Sequence, residues 1–88
     1  MEIQLINGRF SVQEAERLLT SIVKAKIAFH EDKIRTIHET EEDIKHSEKR
    51  IIQLQNTLSE AIKKLRAQNK EYTYLNAMIE VNFTPPLN

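Results

Sequence analysis

The spacing of hydrophobic and polar residues changes along the chain, and each change predicts an element. At the start, Ile3 and Leu5 are separated by polar residues, an alternation typical of a half-buried strand. The alternation ends at Asn7-Gly8, a pair that is common in turns. The sequence therefore predicts a short strand over about residues 2–6, followed by a turn that directs the chain into a helix.

A first helix is predicted over about residues 12–38. Ser11 and Glu14 have the spacing of a capping box, which marks a helix start. From Val12 onwards apolar residues recur every three or four positions, and in helical projection they cover an arc of about 180°. One neighbouring helix does not cover so wide an arc, so we expect at least two. The arc consists of Val12, Ala15, Leu18, Leu19, Ile22, Val23, Ile27, Phe29, Ile34 and Ile37.

A second helix is predicted over about residues 47–79, because an apolar stripe repeats there every seven residues. Before it, Ile44 is the single apolar residue between positions 38 and 50, so we expect a polar connection over about residues 39–46. Thr40 together with Asp43, or Ser47 alone, is expected to cap this helix. The stripe consists of Ile37, Ile44, Ile51, Leu58, Leu65, Tyr72 and Ile79.

Together these elements predict an all-α domain over residues 1–83 with one short N-terminal strand. The expected architecture is an antiparallel helical hairpin that pairs with a second copy in a dimeric four-helix bundle. The alternative is one continuous helix in a long dimeric coiled coil, which would place polar residues in the seam. Residues 79–83 are either a frayed helix end or a short strand that pairs with residues 3–6. Residues 84–88 are expected to be a disordered tail.

Composition narrows the classes of function. Thirteen basic and thirteen acidic residues leave no net charge, so we expect no nucleic-acid partner. No stretch has the roughly 20 apolar residues of a membrane span, and the first residues lack the features of a signal peptide. We therefore expect a cytoplasmic protein without a membrane partner. The chain has no cysteine, so a second subunit is the expected supplement to a small core.

The histidines are the candidate chemistry. On a helix, His38, Glu42 and His46 would share one face and could ligate zinc, although a solvated polar segment explains the same residues. His30 lies in the middle of the apolar arc of helix 1, either as a titrating switch or as an interfacial histidine with one hydrogen bond. A lone glycine excludes a phosphate-binding loop, and no other enzyme template fits. We expect a non-enzymatic protein without a cofactor or a metal.

Three segments, INGRFSVQEAERLL, KIAFHEDKI and SEKRI, carry a resemblance over roughly residues 2–65. In these the chain resembles a family of small uncharacterised bacterial two-helix proteins. The resemblance implies a bacterial protein with two helices and a connection between them, and it implies no activity.

The function predicted from these observations is that of a homo-oligomer, most simply a homodimer, which acts through protein–protein interaction. One alternative is an adaptor or chaperone-like subunit that binds the helix of another protein. Another is a metal- or ligand-binding module that uses His30, His38 and His46. The predicted interface lies on helix 1 and consists of Leu19, Val23, Ile27, His30, Ile34 and Ile37.

Overall fold

In the computed structural model, which describes residues 1–36 and 40–84 (only the backbone at Thr36), two helices lie between two strands in the chain. In chain order the elements are β1 (Glu2–Ser11), α1 (Val12–Thr36), α2 (Glu41–Ala67) and β2 (Tyr72–Glu80). The strands pair antiparallel in a two-stranded sheet. The first and last elements of the chain are therefore hydrogen-bonded neighbours.

The predicted all-α class is wrong, and so is the description of the fold as a helical hairpin in a four-helix bundle. The sheet joins a strand of 10 residues to one of 9, so the predicted strand over residues 2–6 is only part of β1. Residues 72–79, predicted as the end of helix 2, belong to β2. Tyr72, Thr73 and Tyr74 favour a strand, and this preference outweighs the seven-residue spacing that continues through them. Of the two possibilities for residues 79–83, the strand that pairs with β1 is the one observed up to Glu80.

The continuous coiled coil is also wrong, because a helix start is found in the middle of the chain. Thr40 has an extended backbone and caps α2, with its hydroxyl oxygen accepting from the amide of Asp43 at 3.2 Å. Three acidic residues then fill the first turn, where the positive end of the helix dipole favours them. Most of the predicted polar connection is therefore helical. Of the two caps considered, Thr40 is confirmed, and Ser47 is instead buried within α2.

The predicted capping box at the start of α1 is confirmed. The hydroxyl oxygen of Ser11 accepts from the amide of Glu14 at 3.1 Å, and the carboxylate of Glu14 accepts from the amide of Ser11 at 3.0 Å. These two hydrogen bonds hold the pKa of Glu14 below its ordinary value, because both stabilise the carboxylate. The change from strand to helix at residues 11–12 is thus fixed by local side chains.

Helix α2 ends at a residue with a left-handed backbone. Asn69 has φ 53° and follows the C-cap Gln68. Asparagine tolerates this conformation better than other residues that carry a Cβ, and it often ends helices in this way. The carbonyl of Glu71 then accepts from the amide of Val12 at 3.3 Å, which joins the chain entering β2 to the start of α1.

The two helices lie against each other, with the start of α1 beside the end of α2. The guanidinium of Arg66 binds both carboxylate oxygens of Glu16, at 2.7 and 3.2 Å. Further along, His30 of α1 lies within electrostatic range of His46 and Arg50 of α2. These contacts show that α1 and α2 are antiparallel.

The core is thin for a chain of this size. Among the described residues, the buried apolar side chains are Ile6, Ala15 and Leu65, one from each of β1, α1 and α2. The radius of gyration is 16.0 Å, whereas a compact domain of 88 residues has about 12 Å. The molecule is elongated, and its three buried apolar residues mark where the sheet meets the two helices.

Candidate interaction surface

The predicted interface residues of α1 lie on the side that faces α2. Leu19, Val23, Ile27, His30 and Ile34 are all half-buried within a single chain. They share a helical face with Glu16, whose carboxylate binds Arg66 of α2. This face is therefore already occupied in part by α2. Ile37 lies outside the described residues.

His30 is the polar exception on that face. Both ring nitrogens are buried and have no hydrogen-bond partner among the described residues. Burial lowers the pKa of His30, and the positive charges of Lys26, Arg50 and Lys33 lower it further, with the smallest contribution from His46. The imidazole is thus held neutral at pH 7. A neutral imidazole still carries one N–H donor and one acceptor, and both lack a partner within residues 1–36 and 40–84.

The apolar arc of α1 extends beyond the side that α2 covers, as its width suggested. Ile22 is 37% exposed and Phe29 is 58% exposed. The ammonium of Lys26 lies 5.0 Å from the centre of the Phe29 ring, and the His30 ring meets the same ring edge-on at 5.8 Å. This side of α1 is a narrow apolar strip bordered by a cation.

The larger apolar surface lies on the sheet, beyond an irregularity in β1. The register shifts between Gln4 and Ile6, so that β1 has one residue more than β2 at this point. On the far side of this bulge no apolar side chain of the two strands is buried, and the described part of the chain leaves the inner face uncovered there. The exposed apolar residues at this end are Met1, Ile3, Leu5, Met78, Ile79 and Phe83.

The two faces of β2 differ in the way that a half-buried strand requires. Thr73, Leu75 and Ala77 are half-buried on the side of the helices, and the residues between them are exposed. The outer face is tied to β1 by side chains. The hydroxyl of Tyr74 donates to the side-chain oxygen of Asn7, and the side-chain amide of Gln4 donates to the side-chain oxygen of Asn76 at 2.7 Å.

A cation also lies on this outer face. The guanidinium of Arg9 sits 4.8 Å from the centre of the Tyr72 ring. Tyr72 and Tyr74 nevertheless remain 51% and 63% exposed. β2 therefore presents two largely open aromatic rings and Met78 along one line.

The predicted zinc ligands are not brought together in the described part of the chain. His38 lies outside it, and Glu42 and His46 are both exposed on α2. Over residues 1–36 and 40–84, no three side chains of His, Cys, Asp or Glu are grouped so that they could hold a metal ion. Neither described helix is long and apolar enough to cross a membrane.

Sequence reasoning placed the interaction surface on α1 and missed the surface on β2. A signal was present, because three residues that favour strands, Tyr72, Thr73 and Tyr74, begin that segment. No protein-family model matches this chain, and no curated protein or solved structure matches it either. The surface on the sheet and α1 is therefore interpreted from its own geometry.

Proposed function

We propose that the protein is a non-enzymatic homo-oligomer that acts through protein–protein interaction, with a second copy of itself as the first partner. The observation that carries this proposal is the excess of accessible surface. One chain exposes 7491 Å², whereas a compact monomer of 10.3 kDa exposes roughly 5,400 Å². Apolar side chains of both strands and of α1 contribute to the excess.

The size of this excess fits a permanent interface. A standard interface buries roughly 800 Å² per partner, and those of obligate homodimers bury roughly 1,000–2,500 Å² per copy. An excess of roughly 2,000 Å² falls in the second range. The absence of net charge supports self-association as well, because two copies do not repel each other as wholes.

Size-exclusion chromatography with light scattering on the full chain tests the proposal. We expect a mass of twice 10.3 kDa at micromolar concentration. The melting temperature should rise with protein concentration, since the folded dimer gains from mass action. A monomer across the whole range, with a melting temperature independent of concentration, would overturn the proposal.

A second candidate function is that of an adaptor that binds the helix of another protein. The exposed strip of α1 formed by Ile22 and Phe29 favours it, because apolar residues at this spacing can dock against an amphipathic helix. A stable monomer whose Phe29→Ser variant melts at the same temperature as the parent would support this function over self-association. In that case Phe29 would have no structural role in the isolated chain.

A metal-binding function is a third candidate. It rests on His30, His38 and His46, of which only His30 and His46 are described. Addition of zinc should raise the melting temperature if a site forms. We also propose a cytoplasmic location and membership of the bacterial two-helix family. Both proposals are supported by the sequence pattern alone.

A further inference from the structure

We infer that two copies join through β2, whose free edge pairs antiparallel with the same edge of the second copy. The axis of two-fold symmetry lies at Asn76, and the product is a four-stranded sheet in the order β1-β2-β2-β1. This inference rests on the proposed self-association and assigns it to one strand. It differs from the interface predicted on α1.

Of the two free edges of the sheet, β2 is the one without protection. Natural proteins protect edge strands with bulges, prolines or charged residues that discourage pairing. β1 contains the bulge near Leu5, as well as Gly8 and Arg9. The nine residues of β2 include no proline, glycine, lysine or arginine, and the extra residue of the bulge is not on this strand. A long and regular edge of this kind, with a single charge at its last residue Glu80, is a template for a further strand.

The hydrogen bonds at the two ends of the sheet show which residues point to the free edge. Met1 and Val81 exchange two backbone hydrogen bonds, at 2.9 and 2.7 Å, and Glu71 accepts from Val12 at the other end. In an antiparallel pair alternate residues direct both backbone groups to the neighbouring strand. The odd-numbered residues from 71 to 81 therefore face β1. The even-numbered ones face outward, namely Tyr72, Tyr74, Asn76, Met78 and Glu80.

No third strand pairs with these outward groups in the part of the chain that the structure describes. The five outward residues are spaced symmetrically about Asn76. When two copies are placed antiparallel about this residue, Asn76 faces itself, Tyr74 faces Met78 and Tyr72 faces Glu80. Every pair consists of two outward residues and exchanges two hydrogen bonds. A shift of two residues in either direction leaves fewer such pairs, so the register is specified.

The side chains agree with this register. Tyr74 and Met78 are 63% and 52% exposed in one chain, and each would lie beside the other across the new strand pair. Glu80 is the only charged residue of β2, and it would face Tyr72 instead of a second carboxylate. The edge is therefore complementary to itself, as a two-fold interface requires.

Charge substitution at the axis is the direct test. In the Asn76→Lys variant two ammonium groups would face each other, and we expect the dissociation constant of the dimer to rise at least about 100-fold. The Asn76→Asp variant should weaken the dimer in the same way. An equimolar mixture of the two variants should restore a dimer, because lysine then faces aspartate. Circular dichroism of each variant checks that helices and strands are retained.

The matched control is Ile22→Lys, which places the same charge on the exposed strip of α1. It should leave the dimer intact. If the parent chain is a dimer and Asn76→Lys is one too, the inference about β2 is wrong while self-association stands. If Ile22→Lys alone dissociates the dimer, the interface is on α1. A monomeric parent chain overturns the proposed function and this inference together.

Hydrogen exchange on the parent chain tests the inference without any substitution. In a dimer joined through β2, the amides of Tyr72, Tyr74, Asn76, Met78 and Glu80 are bonded and should exchange as slowly as those of Thr73 and Leu75. Without the pairing they point to water, and only the odd-numbered amides are protected. Fast exchange at the even positions in a sample shown to be dimeric would overturn the inference.

Discussion

Replacement of His30 by leucine should stabilise the protein, which is unusual for a change on a packed helix face. Both ring nitrogens of His30 are buried without a partner among the described residues. A buried donor or acceptor left unsatisfied costs about 1–3 kcal/mol. Leucine has a similar volume, keeps the apolar contacts of this face and removes both polar atoms. Because His30 as a whole is only half-buried, we expect the free energy of unfolding to rise by about 1 kcal/mol at pH 7.5.

The same variant should change how stability depends on pH. Burial, followed by the charges of Lys26, Arg50, Lys33 and His46, lowers the pKa of His30 in the folded state from the ordinary 6.5. Well above pH 6.5 the residue is neutral whether the chain is folded or unfolded, so it adds no pH dependence. As the pH falls through 6.5 towards the lowered pKa, the unfolded state takes up more of the proton than the folded state does, and stability decreases. Below the folded pKa both states are protonated and this decrease ends.

Urea unfolding followed by circular dichroism between pH 8 and pH 5.5 measures both effects, at one fixed protein concentration. The His30→Leu variant should be more stable at pH 8 and should lose less stability towards pH 5.5 than the parent chain. His46→Gln removes an exposed histidine that makes the smallest contribution to the lowered pKa of His30, so it should keep most of the decrease. Glu14 and Glu16, whose pKa values are lowered from 4.5, contribute at lower pH and do not interfere. If His30→Leu were less stable at pH 8, or if both chains lost stability equally, the argument from unsatisfied nitrogens would be refuted.

Three further predictions concern local features. Ser11→Ala should lower the free energy of unfolding by about 1 kcal/mol, because it removes the acceptor at the start of α1, and Ser11→Thr should retain most of the stability. Asn69→Val should lower the free energy of unfolding by about 1–2 kcal/mol, because valine tolerates the left-handed backbone at this position poorly. Asn69→Gly should have a stability close to that of the parent in the same urea experiment. Arg66→Ala should return the pKa of Glu16 towards 4.5 in an NMR titration, since the hydrogen bond from Arg66 is the main cause of its lowering.

The parts of the fold that the sequence predicted correctly are those decided by neighbours in the chain. The caps at Ser11 and Thr40 depend on residues three positions away, and both form as expected. The failure at β2 has the opposite origin. Its partner strand is some 70 residues distant, and no periodicity within β2 reveals that partner. The stripe from Ile37 to Ile79 keeps its spacing across Asn69, so the seven-residue pattern concealed the end of the helix.

The exposed surface on β2 was not predicted for a related reason. A projection of α1 shows how wide its apolar arc is, but not which part of the arc α2 will cover. The residues predicted as the interface, such as Val23 and Ile27, proved to be those facing α2, and the exposed part is the strip with Ile22 and Phe29. The open edge of β2 cannot be recognised before β1 is known to occupy the other edge.

The pairing of β1 with β2 bears directly on whether one copy is stable by itself. A two-stranded sheet is marginal in water unless it packs against a helix or gains further strands. Here the end with Ile6 packs near the helices, while the end beyond the bulge leaves Ile3 and Ile79 exposed on the inner face. Among residues 1–36 and 40–84, nothing gives that distal half either form of support. Addition of strands along β2 would supply support over the full length of the sheet, including the half that neither α1 nor α2 covers. The unsupported end of the sheet and the unprotected edge of β2 thus belong to the same strand pair. One interface at β2 would support the first and satisfy the hydrogen-bonding groups of the second.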